Sequence, residues 1–318
     1  MFKRILVPLD GSRRAEQALP IAARLARVSG GTVVLLRAVS LPNALESYIA
    51  LEPIPLEVDM EAAYEEARNY LDGITSGGSL AGIHIQTEVI MGQAAASILS
   101  EVNTQHIDLI VLCSHGYTGM KRWIMGSVAE KVAHHSPVPV LVLREGGPLT
   151  FGPYPDEGSP WRVLVPLDGS RRAQAAIAPA AQLSAALSTP ARGALHLTRV
   201  VVQPDPDEMG YRVLQARIHK AKEYLNTVVE QIRQGLLAAP VADLGLAITW
   251  SVTADEDIAS GIIRAAEDSE DMVAMTTHGS QGLPHWVLGS ITGRVLHASR
   301  LPLLLVRPPD MLDKAYQD

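Results

Sequence analysis

Short apolar runs closed by turn residues alternate along the chain with longer stretches whose apolar positions recur at helical spacing. Each half opens on such a run, ILVPL (5–9) or VLVPL (163–167), closed by Asp-Gly-Ser. An alanine-rich stretch follows, from Ser12 to about Val28 and from Ser170 to about Leu187, and its spacing predicts a first helix. A second run (TVVLLRAV; ALHLTRVV), a long loop and a second helix come next, then a third run (HIQTEVI; LAITWSV), a third helix and a fourth run (LIVLCS; MVAMTT). A glycine loop, a short helix and a fifth run (VPVLVLR; LPLLLVR) complete each half. The runs are almost continuously aliphatic rather than alternating with polar residues. Such runs predict parallel strands in a sheet covered by helices on both faces. An all-helical chain is the alternative, and the β-branched content of the runs argues against it.

The pattern is written twice. ILVPLDGSRRA (Ile5 to Ala15) returns as VLVPLDGSRRA (Val163 to Ala173), and HGYTGMKRWIMGS (His115 to Ser127) as HGSQGLPHWVLGS (His278 to Ser290). A duplicated domain is the direct reading, and 318 residues suit two domains of about 150 residues each. The expected boundaries are 1–144 and 161–308, joined by the glycine-, proline- and acid-rich linker EGGPLTFGPYPDEGSP (145–160) and followed by a tail, 309–318. Pro139 and Pro302 stand near the start of the fifth strands, a position suited to a residue without a ladder donor. An aliphatic edge such as VLVL is an aggregation hazard unless paired, so the two fifth strands are expected to meet and make the halves a pseudo-twofold pair. Whether two chains also associate as a homodimer is left open by the sequence.

Composition narrows the function. Hydrophobic residues make up 47% and charged residues 19%, a globular balance. The formal net charge of −7 argues against a nucleic-acid binder, which normally needs a basic face. No apolar run approaches the roughly 20 residues of a membrane-spanning helix, and the apolar run after Arg4 is too short for a secretory signal. The lone Cys113 cannot form an internal disulfide, which fits a reducing, cytoplasmic setting.

Two sets of residues carry the chemistry. Asp10 and Asp168 lie just past the first strand of each half, and open parallel sheets bind ligands at the carboxyl ends of their strands. A carboxylate there accepts hydrogen bonds from ribose hydroxyls or an exocyclic amine, or else only starts the next helix. After the fourth strand, Gly116 is followed by nine residues and then Gly126-Ser127, and Gly279 likewise by Gly289-Ser290, with Gly119 and Gly282 in between. Glycine lets the backbone approach closely, so amides can point at phosphate oxygens, and the helix beginning at Ser127 adds its N-terminal dipole. Against this stands a self-contained capping box, Ser127-Val-Ala-Glu130, which would satisfy the helix start internally. No histidine or carboxylate joins His115 or His278 at metal-ligand spacing, so no protein metal site is expected.

On these motifs the chain resembles a tandem universal stress protein, the resemblance covering nearly everything except linker and tail. Nucleotide-binding members share the valine-proline-x-Asp-Gly-Ser start and a G-x2-G-x9-G-[ST] loop. The resemblance implies, per domain, a flavodoxin-like (adenine nucleotide alpha hydrolase-like) α/β fold with a five-stranded parallel sheet, order 3-2-1-4-5, and one site for ATP, ADP or AMP, with or without Mg2+. It places Asp10 on the adenosine moiety, the backbone near Ala38 on adenine, and Gly116, Gly126 and Ser127 on phosphates and ribose. Cys113, His115, Gly119 and Lys121 complete that set. Asp168, Val200, Gly279, Gly289 and Ser290, with Thr276, His278 and Gly282, form the second. The motif's first glycine is replaced by Cys113 and Thr276, whose Cβ atoms require ordinary strand backbone. Lys121 and Arg122 in the first loop stand where the second has Pro284 and His285, so unequal affinities are expected, the first site the tighter. The expected role is a cytoplasmic nucleotide-binding sensor or regulator in stress response. A ligand-free interaction module and a slow ATP hydrolase are the alternatives.

Overall fold

The structure, a computed structural model, describes residues 1–40, 60–114, 125–144, 160–205, 208–268, 271–279 and 288–309. The first half runs β1 (Arg4–Pro8), α1 (Leu19–Ser29), β2 (Thr32–Val39), α2 (Met60–Ser76), β3 (His84–Met91), α3 (Ala94–Thr104), β4 (Leu109–Cys113), α4 (Ser127–His135) and β5 (Val140–Leu143). The second repeats it as β6 (Arg162–Pro166), α5 (Ile177–Ser188), β7 (Ala194–Val202), α6 (Glu208–Arg233), β8 (Ala247–Asp255), α7 (Ile258–Glu267), β9 (Met272–Thr276), α8 (Ser290–Ala298) and β10 (Leu303–Val306). The expected linker lies outside the described residues apart from Pro160, as does the tail beyond Pro309.

Within each half the strands are parallel and ordered 3-2-1-4-5, and the whole makes one ten-stranded sheet, β3-β2-β1-β4-β5-β10-β9-β6-β7-β8. At its centre β5 and β10 pair antiparallel, with Leu141 opposite Leu304 and Val142 opposite Leu303. All eight residues of these two strands are buried. Alternate side chains feed two cores. Ile5, Val7, Val33 and Leu35 join α1, and their counterparts join α5, on one face. Leu6, Val34 and Leu36 pack with α3 and α4 residues such as Ile98 and Val132 on the other. Each core contains residues of both halves. On the first face α1 packs against α5 across the seam, their alanines (Ala22, Ala23, Ala180, Ala181) fully buried.

The first helix of each half is not continuous, contrary to its sequence pattern. In the first half a 3-10 turn, Ala15–Ala18, precedes α1. Pro20 has no N–H to give the Glu16 carbonyl, so α-helical bonding cannot run through this point. In the second half one helical turn, Arg171–Gln174, precedes α5, where the ring of Pro179 excludes the carbonyl four residues back, that of Ala175. The β8 strand is longer than its apolar run, extending to Asp255.

Candidate functional site

Each half carries a crevice at the carboxyl ends of its strands, where the chain leaves β1 and β4, or β6 and β9. The order 3-2-1-4-5 makes this the point at which successive connections diverge to opposite sides. On one wall stands Asp10, half-buried, its Oδ1 accepting from the Ser12 backbone N–H at 2.9 Å and from the Ser12 hydroxyl at 2.6 Å. Asp168 repeats this, its Oδ1 accepting from the Ser170 N–H at 2.8 Å. One carboxylate oxygen thus fastens the turn. Asp168 Oδ2 faces across the crevice: a Cβ built on Gly279 would fall 2.5 Å from it. The strand-end aspartate and the first loop glycine therefore meet, and a side chain at position 279 would have to displace that carboxylate.

Opposite the aspartate stand the described ends of the segment after β4 or β9. In the first half its exit is tied down by the Ser114 N–H, which donates to the Leu143 carbonyl at 2.8 Å. Its return is tied by the Gly126 N–H, which donates to the Ser114 carbonyl at 2.7 Å. The second half matches, with Thr277 N–H to Val306 carbonyl at 2.9 Å and Gly289 N–H to Thr277 carbonyl at 2.8 Å. His115, Gly116, Gly119, Lys121 and Gly282 lie outside the described residues. Cys113 and Thr276 end β4 and β9 in strand conformation, and neither has positive φ. Cys113 Sγ approaches the Ala15 carbonyl at 4.0 Å, and the Thr276 hydroxyl donates to the His278 carbonyl at 2.9 Å.

The capping box does not form. Gly126, extended at φ −65° and ψ 146°, is the N-cap of α4, and Ser127 is the first helical residue. Glu130 gives its N–H to the Gly126 carbonyl at 2.9 Å, one residue too far along to reach back as a box requires. The tie between Gly126 and Ser114 places the cap on the glycine and leaves Ser127 exposed. The α8 helix starts likewise on Gly289, with Ser290 exposed. Among the described residues no side-chain cap is made at either start. By contrast α7 is capped by Asp257 Oδ2, which accepts the Ser260 N–H at 2.8 Å. Two helix starts with glycine caps, whose amides meet no capping side chain among the described residues, therefore stand at the strand ends, an arrangement suited to an anion.

The third wall was not legible in the motifs. The β2 strand overhangs β1, whose last partner pair is Pro8 with Leu36, so Arg37 and Ala38 stand beside the Asp10 turn. Arg199 and Val200 overhang β6 in the same way beyond the Pro166–Thr198 pair. The Arg37 guanidinium carbon lies 5.7 Å from the Tyr70 ring centroid, and that of Arg199 lies 5.1 Å from Tyr224. Each guanidinium also borders Gly11 (φ +85°) or Gly169 (φ +94°), where a Cβ would sit 3.4 Å and 3.2 Å from guanidinium nitrogens. The Tyr70 hydroxyl donates to Glu16 Oε1 at 3.0 Å, and burial together with that carboxylate pushes the phenol up from its ordinary pKa. In the second half Gln174 Nε2 donates to the Tyr224 oxygen at 3.2 Å, and burial raises that phenol as well. The signal available in sequence was recurrence: one arginine near the end of each second strand, and two tyrosines in each second helix, of which the later, Tyr70 or Tyr224, meets it.

Among the described residues no three His, Cys, Asp or Glu side chains gather where a metal ion could be held, and no helix is long and apolar enough to cross a membrane.

Comparison with known proteins agrees with this architecture. The model of the Universal stress protein family matches residues 1–144 and again 161–307. Universal stress protein YxiE of Bacillus subtilis is 28% identical over 148 residues, which is 45% of this chain and all of that protein. Universal stress protein MJ0531 of Methanocaldococcus jannaschii is 29% identical over 146 residues, 46% of this chain and 84% of its own length. Each of these relatives therefore corresponds to one half. A solved universal stress protein from Archaeoglobus fulgidus DSM 4304 shares the fold over 96% of this chain and 98% of its own, with TM-score 0.64 at 18% identity. Matched along both of its halves, the chain belongs to the universal stress protein family, with the family's domain present in tandem.

Proposed function

We propose that the chain binds an adenine nucleotide, ATP or its ADP or AMP form, in one crevice of each half, and that it acts in the cytoplasm as a stress-response sensor or regulator rather than a turnover enzyme. The observation that carries the reading is the meeting of Asp168 Oδ2 with Gly279 beside a helix that starts on a glycine cap at Gly289. Asp10, Gly126 and Ser127 hold the corresponding positions in the first half. A carboxylate suits the sugar and base end of a nucleotide, and bare backbone at a helix N-terminus suits its phosphates. The backbone at Ala38 and Val200, on the strand overhangs, is the base-contacting edge in this reading. Any Mg2+ would arrive with the phosphates, because the described residues gather no ligand set of their own. One strand-end carboxylate per crevice among the described residues favours binding over hydrolysis, which calls for further groups to orient water.

Thermal unfolding with ATP tests the reading. A site filled at one hundred times its dissociation constant stabilises by about 2.7 kcal/mol. Gly279→Ala puts a methyl group against Asp168 Oδ2 and is expected to weaken the second site at least tenfold by calorimetric titration, leaving the first intact. No ATP-dependent shift in the wild-type protein refutes nucleotide binding. A Gly279→Ala protein with both sites at full affinity removes the aspartate–glycine contact from the argument.

A further inference from the structure

Resting on the nucleotide reading, we infer that Arg37 and Arg199 are ligand-contacting residues at the nucleoside end of the two crevices, each presenting fixed N–H donors to a ribose hydroxyl or purine nitrogen. Three observations converge on them. The first is position: both stand on the overhang of the second strand, one residue before Ala38 or Val200 and against the Asp-Gly turn. The α4 and α8 helix starts that suit phosphate are tied to the ends of β4 and β9, two strands along the sheet. The second is confinement, since each guanidinium lies over a tyrosine ring and also borders the Asp-Gly turn, where Gly11 or Gly169 leaves it room. A planar group packed against a ring loses little freedom when its edge is bound.

The third is unspent bonding capacity. A guanidinium carries five N–H donors. Arg37 uses one in a long contact from Nη1 to the Leu9 carbonyl at 3.4 Å. Arg199 makes no hydrogen bond or ion pair with any described residue, although it is half-buried. Packing alone does not explain such a choice, because an apolar side chain would fill the space without donors to desolvate. The arrangement also occurs twice in surroundings that differ. The helix bearing the tyrosine has 17 residues in one half and 26 in the other. The tyrosine's own partner is Glu16 in one and Gln174 in the other. What recurs is the glycine–arginine–tyrosine grouping.

Titration of the full-length wild type and of Arg37→Ala, Arg199→Ala and the double variant, with adenosine and separately with ATP, tests the assignment. Each single variant is expected to lose about tenfold in affinity at one of two sites, the scale of one charge-assisted hydrogen bond. The loss should be equal for adenosine and ATP, since the contact is to the nucleoside. The double variant should lose at both sites. Arg37→Lys keeps the charge without the planar fork and is expected to bind as weakly as the alanine variant. Ligand-free melting temperatures establish that each variant folds. Wild-type affinity in the alanine variants, loss confined to ATP, or full rescue by lysine overturns this inference and leaves nucleotide binding standing. A wild-type protein that binds neither ligand overturns both.

Discussion

Asp257 and Arg294 form a two-pronged pair, Nη1 to Oδ1 at 2.6 Å and Nη2 to Oδ2 at 2.7 Å, tying the start of α7 to α8. The Arg294 guanidinium, with the Ser260 hydrogen bonds, holds the Asp257 carboxyl well below the usual carboxylate range. A carboxyl whose folded-state pKa is depressed adds stability above its unfolded value, near 4, and loses it as the pH falls through that value toward the folded one. Asp257→Asn keeps a competent helix cap and deletes the charge. It is expected to lower the melting temperature slightly at pH 7, by about 2 °C for an exposed pair. That deficit should shrink steadily below pH 4. A deficit that is constant from pH 7 to pH 3 would assign the effect to the cap rather than the ion pair.

At the level of elements, the central junction and the helix starts show how local rules meet tertiary ones. Leu304 is fully buried on β10 opposite Leu141 of β5, so Leu304→Ala empties space inside the seam. It is expected to destabilise the protein by about 3 kcal/mol, measured as a lower urea midpoint with an unchanged transition slope. The run VLVL with Pro139 before it made the fifth strand readable, because aliphatic periodicity and proline position are local signals. The aspartates and loop glycines were readable because the duplicated blocks placed them at matching distances. The start of α4 was not. Ser127 and Glu130 have the spacing of a capping box, and only the hydrogen bond from Gly126 to Ser114, a contact with the strand end, sets the cap one residue earlier. The break before α1 was legible in Pro20 but was overridden by the strong alanine pattern around it. Arg37 and Tyr70 were invisible for a different reason: a polar residue near the end of an aliphatic run and a tyrosine in a helix carry no mutual signal until the fold joins them.

Over the whole molecule the halves share more than a linker. They are joined by the β5–β10 ladder, by α1 against α5, and by Arg24 Nη2 donating to the Thr189 carbonyl at 3.3 Å. Both cores run continuously beneath the junction. Residues 1–144 and 160–318 produced as separate chains are therefore expected to co-purify as a one-to-one complex that elutes with the intact protein in size-exclusion chromatography. Independent elution of the two pieces would mean that the covalent link, not the seam, holds them together.

That antiparallel seam also reverses the second half relative to the first. The two mouths consequently open toward opposite rims of the sheet, about four strand spacings or roughly 19 Å apart sideways. No flat partner can cover both at once. Whatever docks over one rim leaves the far rim accessible, so occupants of the two poles would not compete for the same surface.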